Sequence, residues 1–518
     1  VIVPTNLTRR DFIKLIGTLP LVMVNWPERR QRSIYQPGVD RLPNILVLVF
    51  DAFSAYHIPF YGYRRQTTPN LSRFANRATV FHSHYAGGNF TTPGTASLLT
   101  GTYPWSHHAL QIQGTVLDEF RNKNIFSLLG EKGYTRIGFS HNIVVDSLLD
   151  QFRSNIDNHT NTRELFLVDD NLADRLFAKD FTPATHAEGL ITRRGETYSS
   201  SLFLYQLYRF WISVQQKYLL RRYGELFPRG LPRSHNTFFL LEDAIDWTMH
   251  QLEILPQPFL AYIHLLPPHD PYATRREFID RFDDGWDPPP RPPHPLSDRQ
   301  PDQILNKYRR EYDEYIAYAD AEFGRLYDFM DRNGILNNTY VIFTSDHGEL
   351  FERGVWGHIT PVLFEPVIRV PLLISKPGQP KKQDVYTNTS CVDILPTLLY
   401  LAEIEKPDWC EGEVLPTIGE EEPASDRSVF SVEAKSNPKF APLRHLTVSM
   451  IRDRYKLVHY LGYQEYDDIY EMYDLNDDPG EMNNIYSSRK SVASDLQGLL
   501  NEQLMKANQR FINLTTLE

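Results

Sequence analysis

The residues best suited to chemistry in this sequence are a threonine at a helix mouth, an aspartate at a strand end, an Asp-His pair at another strand end, and histidines in a proline-rich turn. Residues 89–101 read N-F-T-T-P-G-T-A-S-L-L-T-G. Thr91 suits an N-cap, Thr92 and Pro93 the first helical positions, and Gly101 the stop. A hydroxyl there faces unpaired N–H groups and the positive end of the helix dipole, which favour an anion such as phosphate or sulfate. Taken alone, Thr-Thr-Pro is equally an ordinary cap. Asp51 ends the apolar run N-I-L-V-L-V-F and is a candidate ligand or base, or else a turn cap. In T-S-D-H-G-E, Asp346 and His347 put two hard-to-borderline ligands on one turn, as a Mn, Zn, Mg or Ca site uses. The only cysteines are Cys391 and Cys410, too few for a thiolate cage or a disulfide framework, so a metal must be held by oxygen and imidazole.

These residues need elements to position them. The run Asn44–Phe50 has the continuous apolar character of a parallel strand buried on both faces. In open α/β sheets chemistry gathers at the carboxyl ends of such strands. A second run at 259–266 contains His264 and leads into P-P-H-D-P-Y with His269, and a histidine has a pKa suited to proton transfer near neutrality. A third, at 340–344, leads to Asp346 and follows a long helix with Tyr312, Tyr315, Ile316, Ala319, Phe323 and Leu326 on one face. Further strands are expected at 78–82 and 368–375. After an acidic linker the pattern turns to hairpins at 428–432, 446–451 and 455–460, with a closing helix.

Taken together, G-Y and T-P-N-L-S-R-F-A after Asp51, the helix ending L-L-T-G, the T-S-D-H-G-E turn and M-Y-D-L-N-D-D-P-G-E near the C-terminus are specific. The combination resembles the sulfatase family of the alkaline phosphatase superfamily, over about 43–138 and 259–486. The resemblance implies an α/β fold: a large mixed, mostly parallel sheet flanked by helices, with a smaller C-terminal antiparallel-sheet subdomain. It implies one divalent metal ion (Mn, Zn, Mg or Ca) held by Asp51, Thr91, Asp346 and His347. It also implies a histidine on the leaving-group side, with His269 the first candidate, His264 the second, and His358 of W-G-H the counterpart of the family's second substrate histidine.

The sequence departs from the family at the nucleophile. Sulfatases carry C-x-P-S-R or S-x-P-S-R at this helix, and the Cys or Ser is oxidised to formylglycine. Here the register gives Thr91-Thr92-Pro93-Gly94-Thr95, without the supporting arginine. Threonine cannot become formylglycine, but it can attack directly, as in the related lipoteichoic acid synthases and phosphoethanolamine transferases. Ala52 stands where the family has a second aspartate, which resembles the one-metal members. The expected activity is a metal-dependent ester hydrolase or transferase acting on a phosphodiester or related phosphate ester through Thr91. A sulfuric ester hydrolase and an inactive binding protein on the same scaffold are the alternatives.

The expected organisation is a leader over 1–42, a catalytic domain over 43–420 with a helical insertion at about 141–257, and a C-terminal subdomain over 421–518. T-R-R-D-F-I-K followed by the apolar 15–24 resembles a twin-arginine export signal, which implies a periplasmic, cell-surface or membrane-associated location. In the insertion, Leu204, Leu207, Tyr208, Trp211 and Tyr218 recur near helical spacing ahead of Arg221-Arg222. That stripe suits either packing on the catalytic domain or a membrane surface. A net charge of -11 excludes a general nucleic-acid binder. The expected partner is a phosphate- or sulfate-ester substrate, lipid- or glycan-linked, selected by the insertion and loops.

Overall fold

The strand Asn44–Phe50 (β1) is buried along its whole length, and its alternate side chains feed two cores. Ile45, Val47 and Val49 join one apolar cluster, whereas Leu46, Leu48 and Phe50 join another on the opposite face. The period-2 alternation of a strand does this, and an apolar residue at every position is its consequence. The computed structural model describes residues 42–159, 165–167, 202–234, 237–419 and 427–515. These belong to one compact unit, Leu42–Glu518. The leader with its twin arginines, most of 160–201 and the acidic linker at 420–426 lie outside the described residues.

Around β1 the main sheet holds Thr79–Phe81 (β2), Thr135–Ser140 (β3), Asn158–His159 (β4), Phe259–Leu265 (β5), Thr339–Thr344 (β6), Leu372–Ser375 (β7) and Gln383–Val385 (β8). Its order is β8-β2-β7-β6-β1-β5-β3-β4. Only β7 is antiparallel to its neighbours, so the sheet is mixed and mostly parallel, as expected. The strand expected at 368–375 is shorter than its apolar run, because Glu365–Ile368 coils into one helical turn and Pro371 lacks an N–H for the ladder.

Helices cover both faces. Thr91–Thr100 (α1) lies in the first core, with Ala96, Leu98 and Leu99 fully buried. In the insertion, Leu202–Tyr223 (α2) exposes Phe210 and Tyr218, while Leu219 enters the second core and Tyr223 packs against it, so the described anchors near its C-terminal end pack inward. The side chains of Leu204, Leu207, Tyr208 and Trp211 are outside the described set. Among the described residues no helix is long and apolar enough to cross a membrane. Leu241–Ile254 (α3) and the long Asp302–Arg332 (α4) complete the second core, and the six apolar residues expected on one face of α4 are all buried there. Ile394–Leu401 (α5) returns to the first core, next to Cys391.

The C-terminal part is an antiparallel meander of Ser428–Glu433 (β9), Leu446–Arg452 (β10), Tyr455–Leu461 (β11) and Ile469–Asp474 (β12), closed by Lys490–Thr515 (α6). The proline-rich loop after Trp286 runs from the segment that follows β1 to the C-terminal sheet. Arg65 Nη2 donates to the Trp286 carbonyl at 2.6 Å, and His294 Nε2 lies 3.2 Å from Glu471 Oε1 on β12.

Register brings the chemistry together. Val49 of β1 stands opposite His264 of β5 and Thr344 of β6, so three adjacent parallel strands end level with one another. The Asp51 N–H donates to the Leu265 carbonyl at 2.9 Å, which fixes the turn that follows β1.

Candidate active site

Asp51, His264, Asp346 and His347 all come from those three strand ends, and each side chain is 0% exposed. His264 Nε2 is 3.1 Å from Asp51 Oδ2 and 3.8 Å from Asp346 Oδ2. His347 Nε2 is 3.3 Å from Asp51 Oδ1 and 3.7 Å from Asp346 Oδ2. Thr91 approaches from the start of α1, its Oγ1 3.3 Å from His347 Nε2.

The helix start differs from the sequence expectation. Phe90 is the N-cap, extended at φ −149° and ψ 169°, and Thr91 is the first helical residue. A side chain at the cap would give its oxygen to the N–H groups of the first turn. One position later, the Thr91 hydroxyl is left for the site. Close approach explains Gly94, since a Cβ there would lie 2.2 Å from the Asp346 carbonyl oxygen. One turn into the helix, Thr95 Oγ1 donates to Asp346 Oδ2 at 3.3 Å, so the residue at the missing arginine's position contacts a carboxylate of the cluster.

Asn142 was not visible as a site residue in the sequence. It caps the helix Ile143–Gln151 after β3, its Oδ1 accepting from the Val144 N–H, while its Nδ2 donates to Asp51 Oδ2 at 2.6 Å and to Thr91 Oγ1 at 3.4 Å. An Asn directly after a strand and before an apolar helix is the signal that was available.

His264, expected second in line on the leaving-group side, lies instead in the carboxylate cluster. Its Nδ1 faces the Tyr262 hydroxyl at 2.9 Å and its Nε2 faces Asp51, so both nitrogens are engaged in the interior. His269 and His358 do face one another across the mouth, with ring centroids 4.7 Å apart, and the His358 ring is 4.3 Å from that of His347. His269 Nδ1 donates to the Asp270 carbonyl at 2.7 Å. His358 Nδ1 sits 3.1 and 3.2 Å from the two oxygens of Glu349, a buried residue that sequence reasoning also passed over.

The electrostatics are those of buried acids balanced only by imidazoles. Burial raises Asp51, but His269, His264 and His347 outweigh it and hold the carboxylate well below its usual range. Asp346 is raised, first by burial and then by the like charge of Asp51. Burial alone would lower His347, yet Asp346 and Asp51 carry it up to about 9. Glu349 is pushed up to about 8 by burial and by Asp270. No lysine or arginine is among the leading influences on these groups.

The donor set fits a divalent cation. Ligand atoms of Asp51, His264 and Asp346 all lie within 4.8 Å of one another, and Asp51 Oδ1 is buried without a hydrogen-bond partner. Thr91 and His347 add an oxygen and a nitrogen at the same place. Two buried carboxylates with no fixed cation are the arrangement a metal charge would neutralise.

Comparison with known proteins agrees with this geometry. The sequence model of the family described as Sulfatase matches residues 43–404, and that described as N-sulphoglucosamine sulphohydrolase, C-terminal, matches residues 355–510. A choline-sulfatase of Rhizobium meliloti (strain 1021) is 24% identical over 481 residues, covering 86% of this chain and 82% of the relative. A multifunctional alkaline phosphatase superfamily protein, PehA, of Trinickia caryophylli is 25% identical over 507 residues, covering 85% and 91%. Among solved structures, the phosphonate monoester hydrolase of Agrobacterium radiobacter superposes with a TM-score of 0.62 at 19% identity, over 90% of this chain and 96% of that one.

Proposed function

This chain belongs to the sulfatase family of the alkaline phosphatase superfamily, and we propose that it is a hydrolase or transferase in which Thr91 itself attacks a phosphate ester. The observation that carries the reading is the Thr91 hydroxyl at the start of α1, buried and 3.3 Å from His347 Nε2. Formylglycine needs a primary carbon that can become an aldehyde, and the Thr91 carbon is secondary. Formylglycine also releases sulfate through the second hydroxyl of its hydrate, which a threonine ester lacks. Direct attack needs neither.

In this mechanism the Thr91 oxygen bonds to phosphorus as the ester oxygen departs opposite it. Asn142 holds Thr91 and Asp51 in mutual register through its amide. The first-turn N–H groups of α1 face the non-bridging oxygens. A divalent ion held by Asp51, His264, Asp346 and His347 would lower the pKa of the hydroxyl and neutralise developing charge. The Thr91 hydroxyl proton is lost to solvent, and the departing oxygen leaves on the side lined by His269 and His358, one of which would protonate it. The phosphoryl group on Thr91 then passes to water or to an acceptor alcohol on a lipid or glycan. A sulfate ester is the second reading, favoured by relatives such as the choline-sulfatase.

Paired aryl phosphodiester, phosphomonoester and sulfate substrates test the choice. Phosphoester turnover should dominate, Thr91→Ala should lose at least about 10^3-fold, and Thr91→Ser should keep part of the rate. Mass spectrometry should find a trapped phosphoryl group on Thr91. Sulfatase turnover that survives Thr91→Ala would overturn the reading.

A further inference from the structure

The insertion carries an exposed face that the chemistry at the strand ends does not use. Helix α2 holds four basic residues, Arg209, Lys217, Arg221 and Arg222, and no acidic one, in a chain of net charge -11. At about 3.6 residues per turn, Phe210, Val214, Lys217, Tyr218 and Arg221 share about a third of its circumference, opposite Leu219. The packing follows that division. Leu219 is 3% exposed in the second core, whereas Phe210 is 69%, Tyr218 61% and Val214 43% exposed. We propose that this face of α2 rests on an anionic lipid surface, with its rings at headgroup level and its cations at the lipid phosphates.

Three observations support lipid as the occupant. The first is that the charges are left open. Lys217, Arg221 and Arg222 are exposed, and among the described residues no carboxylate pairs with any of them. Arg222 lies over the Tyr223 ring instead, 5.1 Å from its centroid. Elsewhere surface arginines of this protein meet acids, as Arg325 meets Asp246 and Arg454 meets Asp474 and Asp477. Unpaired basic side chains on one helix complement the negative potential of an anionic leaflet.

The second is that rings and cations share the same strip. At the boundary of headgroups and acyl chains, aromatic rings are half-buried while long basic side chains carry their charge out to the phosphates. A protein interface instead gathers its apolar residues at a centre depleted in charge. A second copy of this chain is also a poor occupant, because an isologous contact would set the cations of one copy against those of the other. The third is how α2 is seated. Leu219 and Tyr223 hold its C-terminal end to the second core, which turns the opposite face outward. No described helix is long and apolar enough to cross a membrane, so α2 would lie on the surface.

Vesicle sedimentation of the full chain tests the proposal. Wild type should pellet with vesicles of phosphatidylglycerol and phosphatidylcholine, stay in solution with phosphatidylcholine alone, and bind more weakly as salt is raised. Lys217→Glu combined with Arg221→Glu should weaken binding at least about 10-fold, and Phe210→Ser combined with Tyr218→Ser by about as much. All four residues are exposed, so both variants should fold, which circular dichroism checks. Wild type that ignores anionic vesicles overturns the proposal. So do variants that bind as tightly as wild type, because another segment would then make the contact. A dimer in solution that either variant splits, without vesicle binding, would assign the face to a second copy. Wild type that ignores vesicles but binds polyglutamate would assign it to an acidic protein.

Discussion

Of the places in this molecule that bury carboxylates almost completely, two solve the problem in opposite ways. Where the C-terminal meander meets the main sheet, Lys456 of β11 is 0% exposed, with its Nζ 3.3 Å from Glu365 Oε1 and 2.7 Å from Glu481 Oε1. The acids there are balanced by a cation from the chain itself. At the strand ends, Asp51 and Asp346 are equally buried, but their partners are His264 and His347. Isolated charges are too costly to bury without compensation. The first cluster is therefore complete as folded, whereas the second is built to receive a cation from solution. Buried acid marks both places, and the absence of a lysine distinguishes the reactive one.

Breaking each cluster should have different consequences. Asp346→Asn should lower turnover on the order of 10^3-fold and remove the strand-end ion, because a ligand and a charge go together. Its fold should persist, as the variant buries less uncompensated charge. Lys456→Met should do the reverse, destabilising the protein by about 3–5 kcal/mol through two orphaned carboxylates while metal content stays at the wild-type level. Metal analysis beside denaturant titration reads both effects. Equal loss of metal in both variants would show that the contrast between the clusters is wrong.

The same contrast governs what the sequence could reveal. β1 was legible because a strand covered on both faces must be apolar at every position, and the motifs at Asp51, Thr91 and Asp346-His347 were legible because chemistry sits where such strands end. Thr91 was misread as the N-cap because local propensity favours threonine there, whereas tertiary packing through Gly94 sets where the helix begins. His264 is a polar residue inside a fully buried strand, in register with Val49, and that placement tied it to the interior cluster. Asn142 comes from a capping position whose second set of hydrogen bonds depends on which strand lies beside β3, a fact of topology. Asn142→Ala sharpens the point: it should cost about 10–100-fold in metal affinity or turnover, as loss of an outer-shell partner does, beside the about 1 kcal/mol of stability lost with the helix cap. A wild-type rate in this variant would reduce Asn142 to a helix cap.

A further effect lies in the pH dependence of the cluster that carries its own cation. Burial raises the Glu481 carboxyl from 4.5 to about 7, against the pull of Lys456, with Glu365 adding to the rise. The folded protein thus keeps this proton through a window in which the unfolded chain has released it. Below about pH 4.5 both states are protonated and the group's contribution to stability is fully present. As pH climbs from there to about 7, the folded state binds more protons than the unfolded state, so stability falls, by at most about 1.4 kcal/mol per pH unit. Glu481→Gln removes that titration. Whatever constant offset the amide brings beside Lys456 and the Glu365 N–H, the variant should lose less stability than wild type between about pH 5 and 7. Urea titrations at several pH values measure the slope. Parallel slopes in the two proteins would mean that Lys456 holds Glu481 ionised throughout and that the cluster is balanced even more completely than its geometry indicates.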